Sequence, residues 1–174
     1  MSFQETSLET NKINPFAMFK DEWALLSAGN SDKYNTMTIS WGSIGVMWDR
    51  PIFMVVLRPQ RYTRVFIDNN DLFTISFYPE EYRKALLILG TKSGRDCDKI
   101  SESALTPLFL DNTVAFKEAQ AIYICRKLHG GQQIDPSFFT DTSLDIANYP
   151  DKDYHYYYTG EIVKAYQTTD TIVR

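Results

Sequence analysis

Arg58-Pro59-Gln60-Arg61-Tyr62-Thr63 gathers two guanidinium groups, an amide and a hydroxyl into one short stretch. The stretch lies where the apolar run Ile52 to Leu57 meets Pro59. Proline has no N–H to give a ladder, so a strand over Pro51 to Leu57 stops at Arg58. Tyr62, Val65 and Phe66 follow at i, i+3, i+4 spacing, which predicts a short helix ending near Asn69-Asn70. Free backbone N–H groups and a helix dipole beside two guanidinium forks make a phosphate-sized anion site. The alternative is solvated arginines, with Arg64 pairing Asp68 at i, i+4.

Three other stretches carry polar chemistry. Asn35 to Gly42 alternates, with Thr36, Thr38 and Ser40 on one face and Met37, Ile39 and Trp41 on the other. Small hydroxyls on an extended backbone near glycine match the donor and acceptor edge of a flat heterocycle such as a flavin, with Trp41 as an apolar wall; an ordinary half-buried strand reads the same. Gly90-Thr91-Lys92-Ser93-Gly94-Arg95-Asp96 lacks the Gly-Lys step of a nucleotide P-loop and follows a helix, so it is either a flexible loop bringing Lys92 and Ser93 to a site or a solvated helix end. Asp153-Tyr154-His155-Tyr156-Tyr157-Tyr158-Thr159-Gly160-Glu161 puts aromatic surface on both sides of a strand, suited to cover by a second subunit or to a cross-strand ladder.

The elements that must position these groups are mostly strands. Residues 1–14 read as a polar arm, and 15–174 as a single domain that Pro15, Phe16, Met18 and Phe19 begin. Trp23–Ala28, Asn35–Trp41, Pro51–Leu57, Leu72–Tyr78, Val114–Lys127 and Tyr154–Ala165 are expected strands, with Gly42 and Gly45 loosening the backbone between the second and third. Pro79 opens a helix with a Tyr82, Ala85, Leu86, Leu89 stripe closed by Gly90, and a weak helix lies around Asp96–Ser103. A turn is expected at Gly130-Gly131, irregular chain over Asp135–Pro150, and a bulge or close approach at Gly160. Six or seven strands with two or three short helices and no regular strand-helix alternation predict a mainly β fold, an antiparallel barrel with helical insertions.

Composition narrows the function. The net charge of −4 gives no broad positive field for nucleic acid or anionic membrane. Ile52–Leu57 is far short of a membrane span and Met1–Asn14 lacks a signal peptide's apolar centre, so a cytoplasmic protein is expected. Cys97 and Cys125 make no C-x-x-C pair, and His129 and His155 have no metal-ligand spacing, so no metal site is expected and electron chemistry would need an organic cofactor. With two histidines and no Ser-His-Asp or Cys-His order, no hydrolase is assigned.

Taken in order, Asn35-Thr36-Met37-Thr38-Ile39-Ser40-Trp41-Gly42, Arg58 to Thr63, Phe73-Thr74-Ile75-Ser76-Phe77, Lys92 to Asp96, Asp153-Tyr154-His155 and Gly160-Glu161-Ile162-Val163 resemble the flavoredoxin-like branch of the flavin reductase family over about residues 16 to 166. The resemblance implies an FMN-binding split β-barrel of antiparallel Greek-key type and a homodimer with FMN near the subunit interface. It implies that Asn35, Met37, Thr38, Ser40 and Trp41 lie along the isoalloxazine and that Arg58, Gln60, Arg61 and Thr63 hold the ribityl phosphate. Tyr62 would be a second ring contact, Lys92 and Ser93 would approach ring or phosphate, and His155 matches the family's Tyr-His step. The activity implied is passage of electrons from NADH or NADPH to FMN and on to a small-molecule or protein acceptor, with no protein acid or base required. The alternatives are an electron carrier that keeps FMN without oxidising NAD(P)H, and a split barrel holding another flat ligand such as haem or pyridoxal phosphate; no G-x-G-x-x-G fingerprint for a dinucleotide is present.

Overall fold

The structure, a computed structural model, describes residues 2–9 and 13–168. Seven strands form the main antiparallel path: β2 (Ala24–Gly29), β3 (Tyr34–Ile39), β4 (Gly42–Met47), β5 (Arg50–Leu57), β6 (Leu72–Phe77), β9 (Ala121–Gln133) and β10 (Tyr156–Thr168). Their order in the sheet is β3-β2-β6-β9-β10-β5-β4. β1 (Phe3–Glu5) pairs with the far end of β10, from Phe3 opposite Thr168 to Glu5 opposite Tyr166, so the polar N-terminal segment contributes a strand. β7 (Pro107–Leu110) and β8 (Thr113–Phe116) form a separate hairpin.

The helices are short: α1 (Pro15–Ala17), α2 (Thr63–Asn69), α3 (Arg83–Thr91), α4 (Lys99–Ser103) and α5 (Thr142–Asn148). Every residue of β2 is buried, because it packs on both faces. Leu26 joins Phe53, Phe73, Phe77 and Tyr123 in the barrel interior, while its neighbour Leu25 joins Leu86, Leu89, Phe116 and Ile122 beneath α3. The period-2 alternation of a strand thus feeds two apolar layers from one sheet.

Several expectations are corrected. Gly42–Met47 is a strand, paired from Gly42 opposite Val55 to Met47 opposite Arg50. Ile44 packs against the core, but the other side chains are partly or largely exposed, with Val46 at 77%, and the glycines at 42 and 45 leave only a weak apolar alternation. Gly130-Gly131 is no turn: it lies within β9, where a β-carbon on Gly130 would sit 2.5 Å from the Tyr158 ring. The glycine there admits a cross-strand aromatic ring instead of reversing the chain. Asp135–Pro150 contains α5, capped by the Asp141 carboxylate accepting from the Ser143 N–H at 3.0 Å. The buried face of α2 is Thr63, Phe66 and Ile67, and Val65 points outward at 46% exposure. α3 runs one residue past Gly90, whose missing side chain lets Thr38 approach to 3.0 Å of where a β-carbon would be.

Candidate functional site

The end of β3, the Ser40-Trp41 corner, Val56, Arg58, Arg61 and His155 enclose a cleft of ≈ 220 Å³. β5 ends at Leu57 and the chain reverses at Pro59, with the Arg61 N–H donating to the Arg58 carbonyl at 3.1 Å. That turn aims Arg58 and Arg61 at the cleft. The first-turn N–H groups of Arg64 and Val65 already donate to Arg61 O and Tyr62 O, so positive character here comes from the guanidinium groups more than from helix N–H groups.

The two arginines are held differently. Arg58 pairs through Nη1 with Asp153 and donates from Nη2 to Asn148 O at 2.8 Å. Gln60 Nε2 donates to the other Asp153 oxygen at 2.8 Å, so Arg58 and Gln60 together clasp the segment after α5. Arg61 donates from Nη1 to Gly90 O at 2.7 Å and makes no ion pair with a carboxylate among the described residues. Burial and the nearby Arg58 charge push its pKa below the usual arginine value, the mark of uncompensated positive charge in the cleft.

His155 closes the opposite wall. It is 8% exposed, its Nδ1 lies 2.9 Å from the Tyr149 hydroxyl, and its ring stands 5.1 Å from that of Trp41. Burial first, then Arg58, holds its pKa down to about 4 from the ordinary 6.5, so it is neutral at pH 7. The unfolded chain binds this proton more tightly than the fold does. Stability is therefore expected to fall as pH drops from 6.5 towards about 4, and His155→Gln should flatten that slope in acid titrations followed by circular dichroism. An unchanged slope in the variant would refute the assignment.

Of the residues singled out from sequence, Met37, Thr38, Ser40, Trp41, Arg58, Arg61 and His155 meet at this cleft. The Thr38 hydroxyl also anchors β3 to α3 by donating to Leu86 O. Asn35 Nδ2 donates to Thr63 Oγ1 at 2.9 Å, locking β3 to α2, and Asn35 and Tyr62 line a second cavity of ≈ 440 Å³ with Arg95 and Lys99. The Arg95 guanidinium stands 4.6 Å above the Tyr62 ring. Lys92 pairs with Glu102, and Ser93 organises its own loop, its Oγ accepting from the Arg95 N–H at 3.2 Å. Neither Lys92 nor Ser93 lines either cavity. Sequence reasoning gave no role to Asp153 or Tyr149; the first stands two residues before His155 in a motif already quoted, and the second carried no local signal.

The antiparallel sheet with short helices is a mainly β architecture, and it sets an arginine pair and an aromatic rim at the end of one strand. The Flavin reductase like domain matches residues 17–171, and the chain belongs to that family. Similar solved structures include a flavoredoxin from Methanosarcina acetivorans, 24% identical with a TM-score of 0.67, covering 95% of this chain and 78% of that one. An FMN-binding domain of a flavin reductases-like enzyme from Shewanella baltica OS155 is 15% identical at TM-score 0.70, covering 98% and 80%. The flavoredoxin of Desulfovibrio vulgaris (Miyazaki F) is 21% identical at TM-score 0.67, covering 98% and 80%. No match is found among curated proteins. Among the described residues no helix is long and apolar enough to cross a membrane.

Proposed function

We propose that the chain is an FMN-dependent oxidoreductase that takes electrons from NADH or NADPH and delivers them to a small-molecule or protein acceptor. The observation that carries this reading is the half-buried Arg61, with no carboxylate partner among the described residues, in a cleft whose other walls are Trp41 and neutral His155. Surplus positive charge fits a phosphate, and a half-exposed indole beside the end of β3 fits a flat ring. Bound FMN would supply hydride acceptance and onward electron transfer. Arg61 and Arg58 would bind the phosphate, Met37, Thr38 and Ser40 would present backbone and side-chain polar groups to the ring, and Trp41 would form its apolar wall. Asn35 and Thr63 fix β3 to α2 and Gln60 holds Asp153 near His155, while Tyr62, Lys92 and Ser93 lie outside this cleft.

The cleft is small beside the roughly 300–1,000 Å³ of ordinary ligand pockets, so one chain encloses only part of a flavin nucleotide. A second copy completes it in this reading. Trp41, Phe138 and Ile146 are 46%, 81% and 72% exposed, apolar surface that a homodimer would cover. Light scattering should give about twice the 20.1 kDa chain mass at micromolar concentration; a particle of one chain contradicts the dimer. The functional reading is tested by titrating the protein with FMN and with riboflavin. FMN should bind once per chain and more tightly, and equal affinity would remove the phosphate from the site.

A further inference from the structure

Lys99, the first residue of α4, is 4% exposed. Its Nζ donates to Leu89 O at 2.9 Å and to Lys92 O at 3.1 Å, carbonyls at the C-terminal end of α3. Arg61 donates to Gly90 O, between those two in sequence. Two cations from different elements therefore grip one helix end, whose partial negative charge is only about half a unit. Nearby Arg58 is balanced by Asp153, but neither Arg61 nor Lys99 forms an ion pair with a carboxylate among the described residues.

Lys33, Tyr34, Arg95, Asp96, Cys97 and Asp98 line the same cavity as Lys99. Arg61 faces it from the turn after β5, and Cys97 lies in the loop that links α3 to α4. Lys92 and Glu102 are paired with each other, and Asp98 caps α4 by accepting from Ser101. Burial first, then Arg61, brings the Lys99 pKa down to about 8 from the ordinary 10.5, with Cys97 opposing weakly. The unfolded chain holds this proton more tightly, so charged Lys99 costs the fold stability below pH 8, and the cost is relieved as pH rises from about 8 to 10.5. An anion set against Arg61 offsets the same repulsion and makes Lys99 a better proton acceptor.

We infer that Lys99 is a positioning residue for the phosphate end of the site, and that binding of a phosphate-bearing ligand at Arg61 is coupled to protonation of the Lys99 amine. The inference rests on the FMN reading above. It assigns a role to a buried lysine that lines the second cavity and touches that site only through the end of α3 and Arg61.

The test is calorimetric titration of the full chain with FMN at about pH 8.5, in two buffers of very different ionisation enthalpy. The FMN phosphate is already a dianion there, since its second pKa is about 6. Wild type should take up about half to three-quarters of a proton per FMN, and its FMN affinity should fall up to about tenfold between roughly pH 7.5 and 9. Riboflavin should show neither effect. Lys99→Met should abolish the buffer dependence, and Lys99→Arg should keep a cation on the helix end with a flat pH profile. If Lys99→Met does not fold, the FMN and riboflavin comparison in wild type still decides. FMN binding without proton uptake, equal uptake with riboflavin, or uptake that persists in Lys99→Met overturns the coupling and leaves the FMN site standing. No FMN binding at any pH overturns both.

Discussion

Arg61→Ala is expected to weaken FMN binding by about 1.5–3 kcal/mol, roughly 10- to 150-fold, and to leave riboflavin binding nearly unchanged. The guanidinium has five N–H donors, and among the described residues Gly90 O is the one acceptor it meets. The remaining donors sit in a cleft without a carboxylate partner, where a charge-assisted bond to phosphate escapes much of the screening it would meet in water. Arg61→Lys should recover only part of the loss, because an ammonium cannot reproduce the planar fork. Arg58→Ala should behave differently. It releases Asp153 and Asn148 O as well, so it should lower thermal stability along with affinity. Flavin fluorescence titrations of the three variants separate these outcomes, and wild-type FMN affinity in Arg61→Ala would remove Arg61 from the phosphate site.

The largest stability effect is expected at Gly160. A β-carbon there would lie 2.5 Å from Cζ of Phe73 and 2.9 Å from Cβ of Cys125, both fully buried. The ring is fixed in β6 by its pairing with β2 and β9, so it cannot swing aside without displacing its neighbours. Gly160→Ala should cost about 1–3 kcal/mol, and Gly160→Val more. Each kcal/mol corresponds to about 2–4 °C in Tm for a chain of this size. Gly45→Ala is the control: nothing lies within 4 Å of its β-carbon position, and no loss is expected. Equal melting temperatures for Gly160→Ala and wild type would contradict the packing described.

Gly160 also shows what the sequence made legible. A glycine inside an aromatic strand signals close approach, and the structure puts Phe73 there with a register shift between Thr159 and Gly160. β5 was readable because Ile52, Phe53, Val55 and Leu57 are buried in a β-branched run that ends at proline. The two arginines were readable as a pair beside that proline. What escaped was tertiary in origin. The edge strand β4 sets only Ile44 and Val46 on one face, with Val46 exposed and glycines at 42 and 45 weakening the pattern, and α5 is held by Asp141 capping and by Arg58 reaching Asn148 O, a contact 90 residues away in sequence. The division of labour between the arginines was equally hidden, since it depends on Asp153 and Gly90 O arriving from distant segments. Lys99 gave no sign of burial, because a lysine beside Asp98 in a short polar helix reads as solvated.

The proposed activity is tested most directly by mixing the FMN-loaded protein with NADH, and separately with NADPH, under anaerobic conditions while following the flavin absorption band. Loss of the oxidised band within a single turnover with at least one nucleotide is the expected result, and Trp41→Ala should slow that step more than it weakens FMN binding, because transfer depends steeply on ring placement. A flavin that stays oxidised with both nucleotides, yet is reduced by dithionite, would contradict a nicotinamide-dependent reductase and leave an electron carrier in its place.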